Sequence, residues 1–356
     1  MSLSMSLPSP GTLRLAGPAL LALALAGCGE TAKLPVEAGV GPSPQLPAPN
    51  KTLLPTMNIA TATGWGDTAA PTPAAPFKVA ALARGLEHPR WLYTLPNGDV
   101  LGAESKRPPK PEEDESLYRR IRGKVQGMVM KRAGADVPSA NRITLLRDAD
   151  GDGVADIRTV FLSGLQSPFG MALVGNELFI ANADALVKVP YTAGQTQAAG
   201  APVQVTELPS GVNHHWTKNV IASPDGRKLY VTVGSNSNVG ERGLPAEEGR
   251  AAIWEVDPRT GSMRLYATGL RNPNGMGWEP TSGTLWTVVN ERDEIGSDLV
   301  PDFLTAVRDG AEQWKREHPD DQFTAFGIVA DLPTRAGMVD GFLDLVDRLW
   351  SGRRVG

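Results

Sequence analysis

The chain has 356 residues, one cysteine, and 35 Lys and Arg against 39 Asp and Glu, so its formal net charge is −4. This balance argues against nucleic acid as a partner, because phosphate binding needs a concentrated excess of basic side chains. A single cysteine excludes a disulfide framework within the chain and a metal site built from several cysteines. The 39 glycines and 30 prolines are typical of a turn-rich, all-β protein.

The first 28 residues have the layout of an export signal. Arg14 precedes an apolar run from Leu15 to Gly27, which is too short to span a bilayer. The tetrad LAGC that ends at Cys28 resembles the bacterial lipobox, whose cysteine becomes the lipid-modified first residue of the mature protein. We expect a lipid anchor at Cys28 and a location on the periplasmic side of the cell envelope, with the outer membrane preferred because Gly29 rather than Asp follows. The alternative is an ordinary signal peptide with an incidental cysteine.

A linker separates this signal from the rest of the chain. Residues 29–76 are rich in Pro and Ala, as in APTPAAP, and show no sustained apolar period. Such a composition cannot bury enough apolar surface to order itself, so it predicts an extended, disordered tether.

A fourfold repeat follows the tether. Each copy opens with Gly, reaches Pro or His within a few residues, and continues through a short apolar strand, a turn and a second strand; the copies cover 85–105, 164–184, 211–236 and 269–291. A strand-like stretch precedes each copy: FKVAALA, IRTVFLS, VQVTELP and MRLYATG. Short strands that recur at a spacing of about sixty residues predict the blades of a propeller. We therefore predict an all-β fold with about four propeller blades over residues 77–310.

An acidic run lies between the first two copies. Four carboxylates alternate with small residues in DADGDGVAD, at Asp148, Asp150, Asp152 and Asp156. Oxygen ligands at this spacing, with glycines that allow a tight bend, suit Ca²⁺. The run is not a complete EF-hand, because Thr159 stands at the twelfth position, where a bidentate Glu is required. The alternative is a hairpin turn in which Asp and Gly serve backbone geometry alone.

Two of the four histidines, His214 and His215, stand side by side in the third copy. We expect them at the start of a strand, where only one of the two side chains faces a given cavity. A histidine beside a bound alcohol suits a general base, because its ordinary pKa lies near neutral pH. A structural role is the alternative.

Arg271 and Asn272 occupy the equivalent place in the fourth copy. A guanidinium there offers a fixed positive charge and a planar fork of donors for a carboxylate or a developing oxyanion, unless it pairs with a neighbouring acid in a turn. The run NERD at 290–293 ends this copy. Its carbonyls and carboxylates could bind a metal. The alternative is that the run forms only a charged rim.

Several of these strings together resemble the glucose/sorbosone dehydrogenase family. They are HHWTKN at 214–219, GLRNPNGMGW at 269–278 and NERDEIGSDLVPD at 290–302. The sorbosone dehydrogenase-like branch is also similar in ANRITLLRDADGDGVAD and SPFGMAL. The resemblance covers about residues 77–310 and implies a periplasmic propeller of the six-bladed type that uses pyrroloquinoline quinone (PQQ) with Ca²⁺.

The resemblance also implies roles for particular residues. His215 matches the base that takes the proton of the substrate hydroxyl. Arg271 and Asn272 match residues that contact the quinone, with Arg271 stabilising the oxygen that gains negative charge. Gln166 matches a further cofactor contact. The cofactor-side Ca²⁺ matches the loop of Glu291, Arg292 and Asp293, largely through backbone carbonyls.

The chain departs from the family in two places. His214 stands where the soluble glucose enzymes have an acidic residue, so the substrate contacts need not be shared. After Gly310 the family continues with further blades, whereas residues 311–356 have the apolar period of an amphipathic helix, at Met338, Phe342, Leu343, Val346 and Leu349. A truncated, frameshifted or fused gene and a variant architecture both remain open.

The resulting expectation is a PQQ-dependent dehydrogenase of aldoses or sugar-derived aldehydes such as sorbosone, which passes electrons to a periplasmic acceptor. Two alternatives stand beside it. One is a non-catalytic propeller lipoprotein that binds a ligand or a protein, and the other is an inactive truncated gene product.

Overall fold

The computed structural model of the protein describes residues 33–39, 62–109, 127, 131, 138–238, 240, 242–291 and 302–310. The chain divides into two compact units. The first unit comprises Met1–Asn58 and Arg292–Pro301, and its described part contains a 3₁₀ turn at Val36–Gly39. The signal sequence with Cys28 and the tail at 311–356 lie outside the described residues, so the predictions made for them stay predictions.

The second unit, Ile59–Glu291 with Asp302–Gly356, contains four antiparallel sheets. The strands of the first are β1 (Pro89–Thr94), β2 (Val100–Glu104), β3 (Arg142–Arg147) and β4 (Ile157–Leu162). Those of the second are β5 (Met171–Val174), β6 (Glu177–Ala181), β7 (Ala185–Pro190) and β8 (Val203–Glu207). The third has β9 (Val220–Ala222), β10 (Leu229–Val233), β11 (Ala252–Val256) and β12 (Met263–Thr268), with a 3₁₀ turn at Leu244–Glu247. The fourth has β13 (Pro273–Trp278), β14 (Leu285–Val289) and β15 (Phe303–Val307).

In every sheet the strands pair in the order in which they occur in the chain. This meander is the pattern of a propeller blade. The all-β class and the four blades predicted from the repeats are therefore confirmed. Within the described ranges the fourth blade has three strands. No helix among these residues is both long and apolar enough to cross a membrane.

The hydrophobic core lies between consecutive blades. One apolar cluster joins the first and second blades, another joins the second and third, and a third joins the third and fourth. In β6, Leu178 and Ile180 belong to the cluster with the first blade, whereas Phe179 and Ala181 belong to the cluster with the third. Because successive side chains of a strand face opposite sides, a strand covered on both faces becomes an unbroken apolar run.

The outward faces of the first and fourth blades differ from these covered faces. In the first blade Leu92 and Val160 are 58% and 43% exposed, and in the fourth Val288 and Leu304 are 45% and 41% exposed. β1 accordingly alternates between exposed and half-buried positions. The alternation predicted for a sheet with one packed face is thus seen in the terminal blades, while inner blades lose it.

Residues 77–83, with the sequence FKVAALA, form no strand, in contrast to the three corresponding stretches. Those three are β4, β8 and β12, and each is the outermost strand of the blade that precedes its repeat. Among the described residues, no strand lies ahead of β1 with which residues 77–83 could pair. This segment follows the edge of the first blade through single contacts, in which Ala155 N–H donates to Leu82 O at 2.8 Å and Arg158 donates to the carbonyls of Arg84 and Gly85.

The backbone conformation explains why each repeat opens with glycine. Gly85, Gly164, Gly211 and Gly269 have φ angles of 66°, 72°, 85° and 82°. This left-handed conformation carries a steric penalty for residues with a Cβ atom. The repeat visible in the sequence therefore marks the point where the chain turns from the outer edge of one blade to the inner strand of the next.

A buried acid stabilises the first blade. The Glu104 side chain is 0% exposed at the end of β2 and accepts hydrogen bonds from Arg142 Nε and Nη2 at 3.0 and 3.1 Å. The hydroxyl of Thr144 and the backbone N–H of Glu87 also donate to it. Burial raises the pKa of Glu104, but these hydrogen bonds and the charge of Arg142 outweigh it, so the pKa lies below its ordinary value.

Glu104→Gln should lower the free energy of unfolding by about 2–4 kcal/mol, because the buried side chain then lacks the charge that pairs with Arg142. The matched control is Glu177→Gln, since Glu177 is 45% exposed and pairs with Lys188 at 2.7 Å, and it should cost less than about 1 kcal/mol. Urea denaturation of both variants measures the difference. A carboxylate with a lowered pKa stabilises above its unfolded pKa, so the Glu104 effect should fade on acidification below about pH 4. Equal costs for both variants would contradict this account.

Candidate active site

The predicted functional residues gather at one end of the blades. The start of each first strand pairs with the end of the second, as in Pro89 with Glu104 and Pro273 with Val289. The loops that enter first strands and leave second strands therefore share one end of each blade. His215 lies in the loop before β9, Arg271 in the loop before β13, and Glu291 directly after β14.

His214 and His215 are not part of a strand, because β9 begins only at Val220. The expectation that their side chains face opposite ways is wrong, since the two rings lie edge to face with centroids 4.7 Å apart. A bent loop removes the twofold alternation on which that expectation rested. The next residue, Trp216, anchors this loop, because it is 8% exposed and packs edge-on against Phe169 with centroids 6.3 Å apart.

The hydrogen bonds of His215 determine which ring nitrogen carries the proton. Nδ1 lies 2.9 Å from both the carbonyl oxygen and the hydroxyl oxygen of Ser235. The carbonyl can only accept, and the Ser235 hydroxyl already donates to Ser237 O at 2.7 Å. We assign the proton to Nδ1 on this basis. Nε2 then carries the lone pair, which is the arrangement of a neutral proton acceptor.

The surroundings of His215 favour the uncharged ring. Burial, the positive charge of Arg271 and the neighbouring His214 lower the pKa of His215 to about 3, while the hydrogen bond to Ser235 acts in the opposite direction. Arg250 adds a smaller lowering effect. The ring is therefore neutral at pH 7.

Arg271 is 1% exposed, and its positive charge acts on His215. Its Nε donates to Asn238 O at 2.8 Å, and its Nη1 donates to Asn290 O at 3.0 Å and to the carbonyl of Glu291. Its own carbonyl accepts from Ser235 N–H at 2.7 Å. Arg271 thus joins the loops after β10 and β14 and contributes a buried positive charge to the site.

Asn272 lies beside His215 with its amide oxygen buried. This oxygen has no hydrogen-bond partner among the described residues, although a buried acceptor without a partner is costly. Gly234 separates the two side chains, and a Cβ there would be well inside van der Waals contact of both the Asn272 oxygen and His215 Cβ. The backbone that follows β10 therefore allows Asn272 and His215 to approach each other only because residue 234 is glycine.

The remaining predicted residues have different outcomes. Gln166 is exposed in the loop before β5, and its carbonyl accepts from Ala183 N–H at 2.9 Å. The Glu291 carbonyl, a predicted calcium ligand, accepts instead from Arg271. Arg292 and Asp293 lie outside the described residues. The roles predicted for these four residues stay predictions.

The acidic run forms the turn between β3 and β4, at the opposite end of the first blade from the site end. One carboxylate oxygen each of Asp148, Asp150 and Asp156 lies within 4.8 Å of the others, and Asp152 is not part of this group. Backbone N–H groups already donate to these acids, as those of Gly151 and Gly153 do to Asp148 at 2.8 and 2.9 Å. These bonds lower the pKa of Asp148. The turn geometry alone accounts for the acids, and calcium there stays a prediction.

Sequence reasoning did not find Ser235 and Asn238, which hold His215 and Arg271. Both belong to the string GSNSN after β10. This string is a weak signal of function, since a run of small polar residues after a strand is also typical of an ordinary turn. Their role follows from contacts with residues 20 to 33 positions away in the chain.

Residues 121–325 match the family described as "Domain of unknown function (DUF7133)", which is more than half of the chain. The chain belongs to this family. The description of the family gives no activity.

A curated, uncharacterized protein of Borreliella burgdorferi is 24% identical over 165 residues, which is 42% of this chain and 41% of that protein. A Trichoderma reesei protein of the Carbohydrate-Active Enzymes Family AA12 is 17% identical, with a TM-score of 0.51 over 68% of this chain and 57% of the other. The PQQ domain of pyranose dehydrogenase from Coprinopsis cinerea, in its holo form, is 20% identical, with a TM-score of 0.46 over 64% and 51%. The chain thus spans well under two thirds of each of these relatives, and the Trichoderma structure supports the propeller fold alone.

Gly234→Ala should destabilise the protein by about 1–3 kcal/mol, because the added methyl must displace Asn272 or His215. Gly277→Ala is the matched control, since Gly277 lies in β13 with nothing within 4 Å of its added Cβ. Its stability should change by less than about 0.5 kcal/mol. Thermal unfolding of the two variants tests the prediction, and an unchanged midpoint for Gly234→Ala would contradict the close approach.

Proposed function

We propose that this protein is a PQQ-dependent dehydrogenase that oxidises an aldose or a sugar-derived aldehyde of the sorbosone type. The observation that carries the proposal is the neutral His215, with Nδ1–H held by Ser235 and Nε2 left as proton acceptor, in the field of the buried Arg271. The choice of PQQ as cofactor and of sugars as substrates rests on the sequence strings around His215 and Arg271. It does not rest on the fold similarity.

The residues present fit a quinone that carries carboxylates. Arg271 contributes a buried positive charge that favours carboxylates, and Gly234, because it lacks a Cβ, lets Asn272 and His215 come together at this end of the blades. Bound PQQ would supply the oxidising power, by accepting two electrons as hydride from the substrate carbon. Arg271 is buried, so it would act by its field and by holding the loops around the cofactor.

His215 would accept the proton of the substrate hydroxyl at Nε2, from an aldose or from the hydrate of an aldehyde. Its Nδ1–H donates to the Ser235 carbonyl, which orients the ring and stabilises it when it becomes positively charged. The pKa of His215 is low partly because of Arg271. Negative charge bound beside Arg271 therefore raises that pKa towards the range in which a general base is effective.

The surroundings of the enzyme belong to the same proposal. Lipidation at Cys28 would hold the protein at the periplasmic side of the envelope, with the outer membrane preferred, and residues 29–76 would act as the tether. A periplasmic acceptor would take the electrons, and no nucleic acid partner is expected. Calcium would bind at the turn of Asp148, Asp150 and Asp156 or near the loop of Glu291 to Asp293.

The test is dye-linked turnover of the full chain reconstituted with PQQ, with and without Ca²⁺, on a panel of aldoses and aldehydes. His215→Ala should lower kcat by at least about 100-fold while the unfolding midpoint stays close to that of the parent. His214→Gln is the comparison variant, and it should cost less than about tenfold, since it leaves the bond between His215 and Ser235 in place. Wild-type turnover in His215→Ala would sink the assignment. A folded parent that reduces no dye would favour the binding-protein alternative, and an unfolded one would favour a truncated gene product.

A further inference from the structure

Arg250 contacts the loop that carries His215 at several points. It lies just before β11 and is 5% exposed. Nη1 donates to the carbonyls of Pro209 at 2.9 Å and Ser210 at 3.3 Å. Nη2 donates to Asn213 Oδ1 at 2.8 Å and to the carbonyl of His215 at 3.4 Å. One planar guanidinium thus fixes the course of residues 209–215 against the third strand of their own blade.

Asn213 is the centre of these contacts. Its φ angle is 50° and it is 3% exposed. Its oxygen also accepts from Lys218 Nζ at 3.0 Å, and its Nδ2 donates to Ala183 O at 2.9 Å in the second blade. Residues 213 and 218 bracket the two histidines. The bend between them is therefore closed by the Lys218 bond and tied to the second and third blades.

The two basic side chains converge on a neutral acceptor. In the described part of the chain, neither Arg250 nor Lys218 has a carboxylate within 4.0 Å. Burial lowers the pKa of Arg250 to about 10, so it stays charged at pH 7, and burial together with Arg250 lowers the pKa of Lys218. Glu247 and Asp184 act on them only at longer range. Among the residues that the structure describes, the charge of Arg250 thus has no direct counter-ion, although Nη2 reaches the His215 carbonyl.

We propose that Arg250, acting through Asn213 and with Lys218, is a positioning residue that holds the His215 ring against Ser235 with Nε2 directed to the site. Its catalytic consequence rests on the proposed function, whereas its effect on the ring does not. Three basic side chains that act on His215 lower its pKa, namely Arg271, His214 and Arg250. The Ser235 carbonyl, which accepts the hydrogen bond from the ring, raises it. Arg250 therefore affects the position of the His215 ring through hydrogen bonds to its loop, and the protonation of the ring through its positive charge.

The first test compares Arg250→Lys with Arg264→Lys in the full chain. Arg264 is the matched control, because it lies in the same blade, is 48% exposed, and pairs on the surface with Glu255 and with Asp309 of the fourth blade. Lysine keeps the charge but cannot reach four acceptors. Nitrogen NMR of selectively labelled histidine reports the protonation of each ring, and His215→Gln identifies the His215 signals among those of the four histidines. The Nδ1–H form of His215 should fall by at least about twofold in Arg250→Lys and stay unchanged in Arg264→Lys.

A second variant keeps the test valid if Arg250→Lys unfolds. Asn213→Asp is isosteric, tolerates the same φ angle, and places a carboxylate on both Arg250 and Lys218, although it loses the Nδ2 donor to Ala183 O. The midpoint of thermal unfolding should change little, because the new ion pairs offset the lost bond, while protonation of His215 on acidification should begin about one pH unit higher. A merely structural role of the cluster would change the unfolding midpoint and leave both ring signals where they are.

The outcomes separate the two proposals. Unchanged His215 signals in both variants would overturn the positioning role. Changed signals in a protein that shows no PQQ-dependent turnover would support the positioning role and overturn the proposed function. In an active enzyme, Arg250→Lys should lower kcat by about tenfold or more with a smaller change in KM. The reason is that the variant displaces the base, His215, and leaves the substrate contacts in place.

Discussion

The candidate site depends on one buried charge. Arg271 is 1% exposed, and its guanidinium donates to carbonyls of the loops that follow β10 and β14. A buried guanidinium is tolerated only when its N–H donors have hydrogen-bond acceptors. The carbonyls of these two loops are those acceptors, so Arg271 holds the loops in place. Together with burial, which has the larger effect, the same charge lowers the pKa of His215 and keeps its ring neutral. Arg271 thus contributes both to the loop geometry and to the protonation state of the proposed base.

The fold was largely predictable because the blades repeat their local chemistry. The glycine at the opening of each copy has a left-handed φ angle, and the strand pattern follows from which faces are covered. The failures have tertiary causes. Residues 77–83 have the composition of an outer strand but, in the part of the chain that the structure describes, no earlier strand to pair with, and the two histidines lie in a bend rather than in β9. Pairing partners decide strand formation as much as local propensity does.

The site was predictable only in part. The strings around His215, Arg271 and Asn272 indicated those three residues, and the structure brings them together. Ser235, Asn238 and Arg250 gave no comparable signal, because each acts through a hydrogen bond to a distant part of the chain. Such polar residues in loops have no period and no composition bias that marks them. They nevertheless decide the tautomer, the burial and the position of the predicted residues.

The central claim is that the loops held by Arg271 form a site for an anionic quinone beside His215. Its most direct test is an equilibrium titration of the purified full chain with PQQ, followed by isothermal calorimetry in buffers with and without Ca²⁺. The account predicts saturable binding at a single site, strengthened by Ca²⁺. A folded sample that takes up no PQQ under either condition would contradict it.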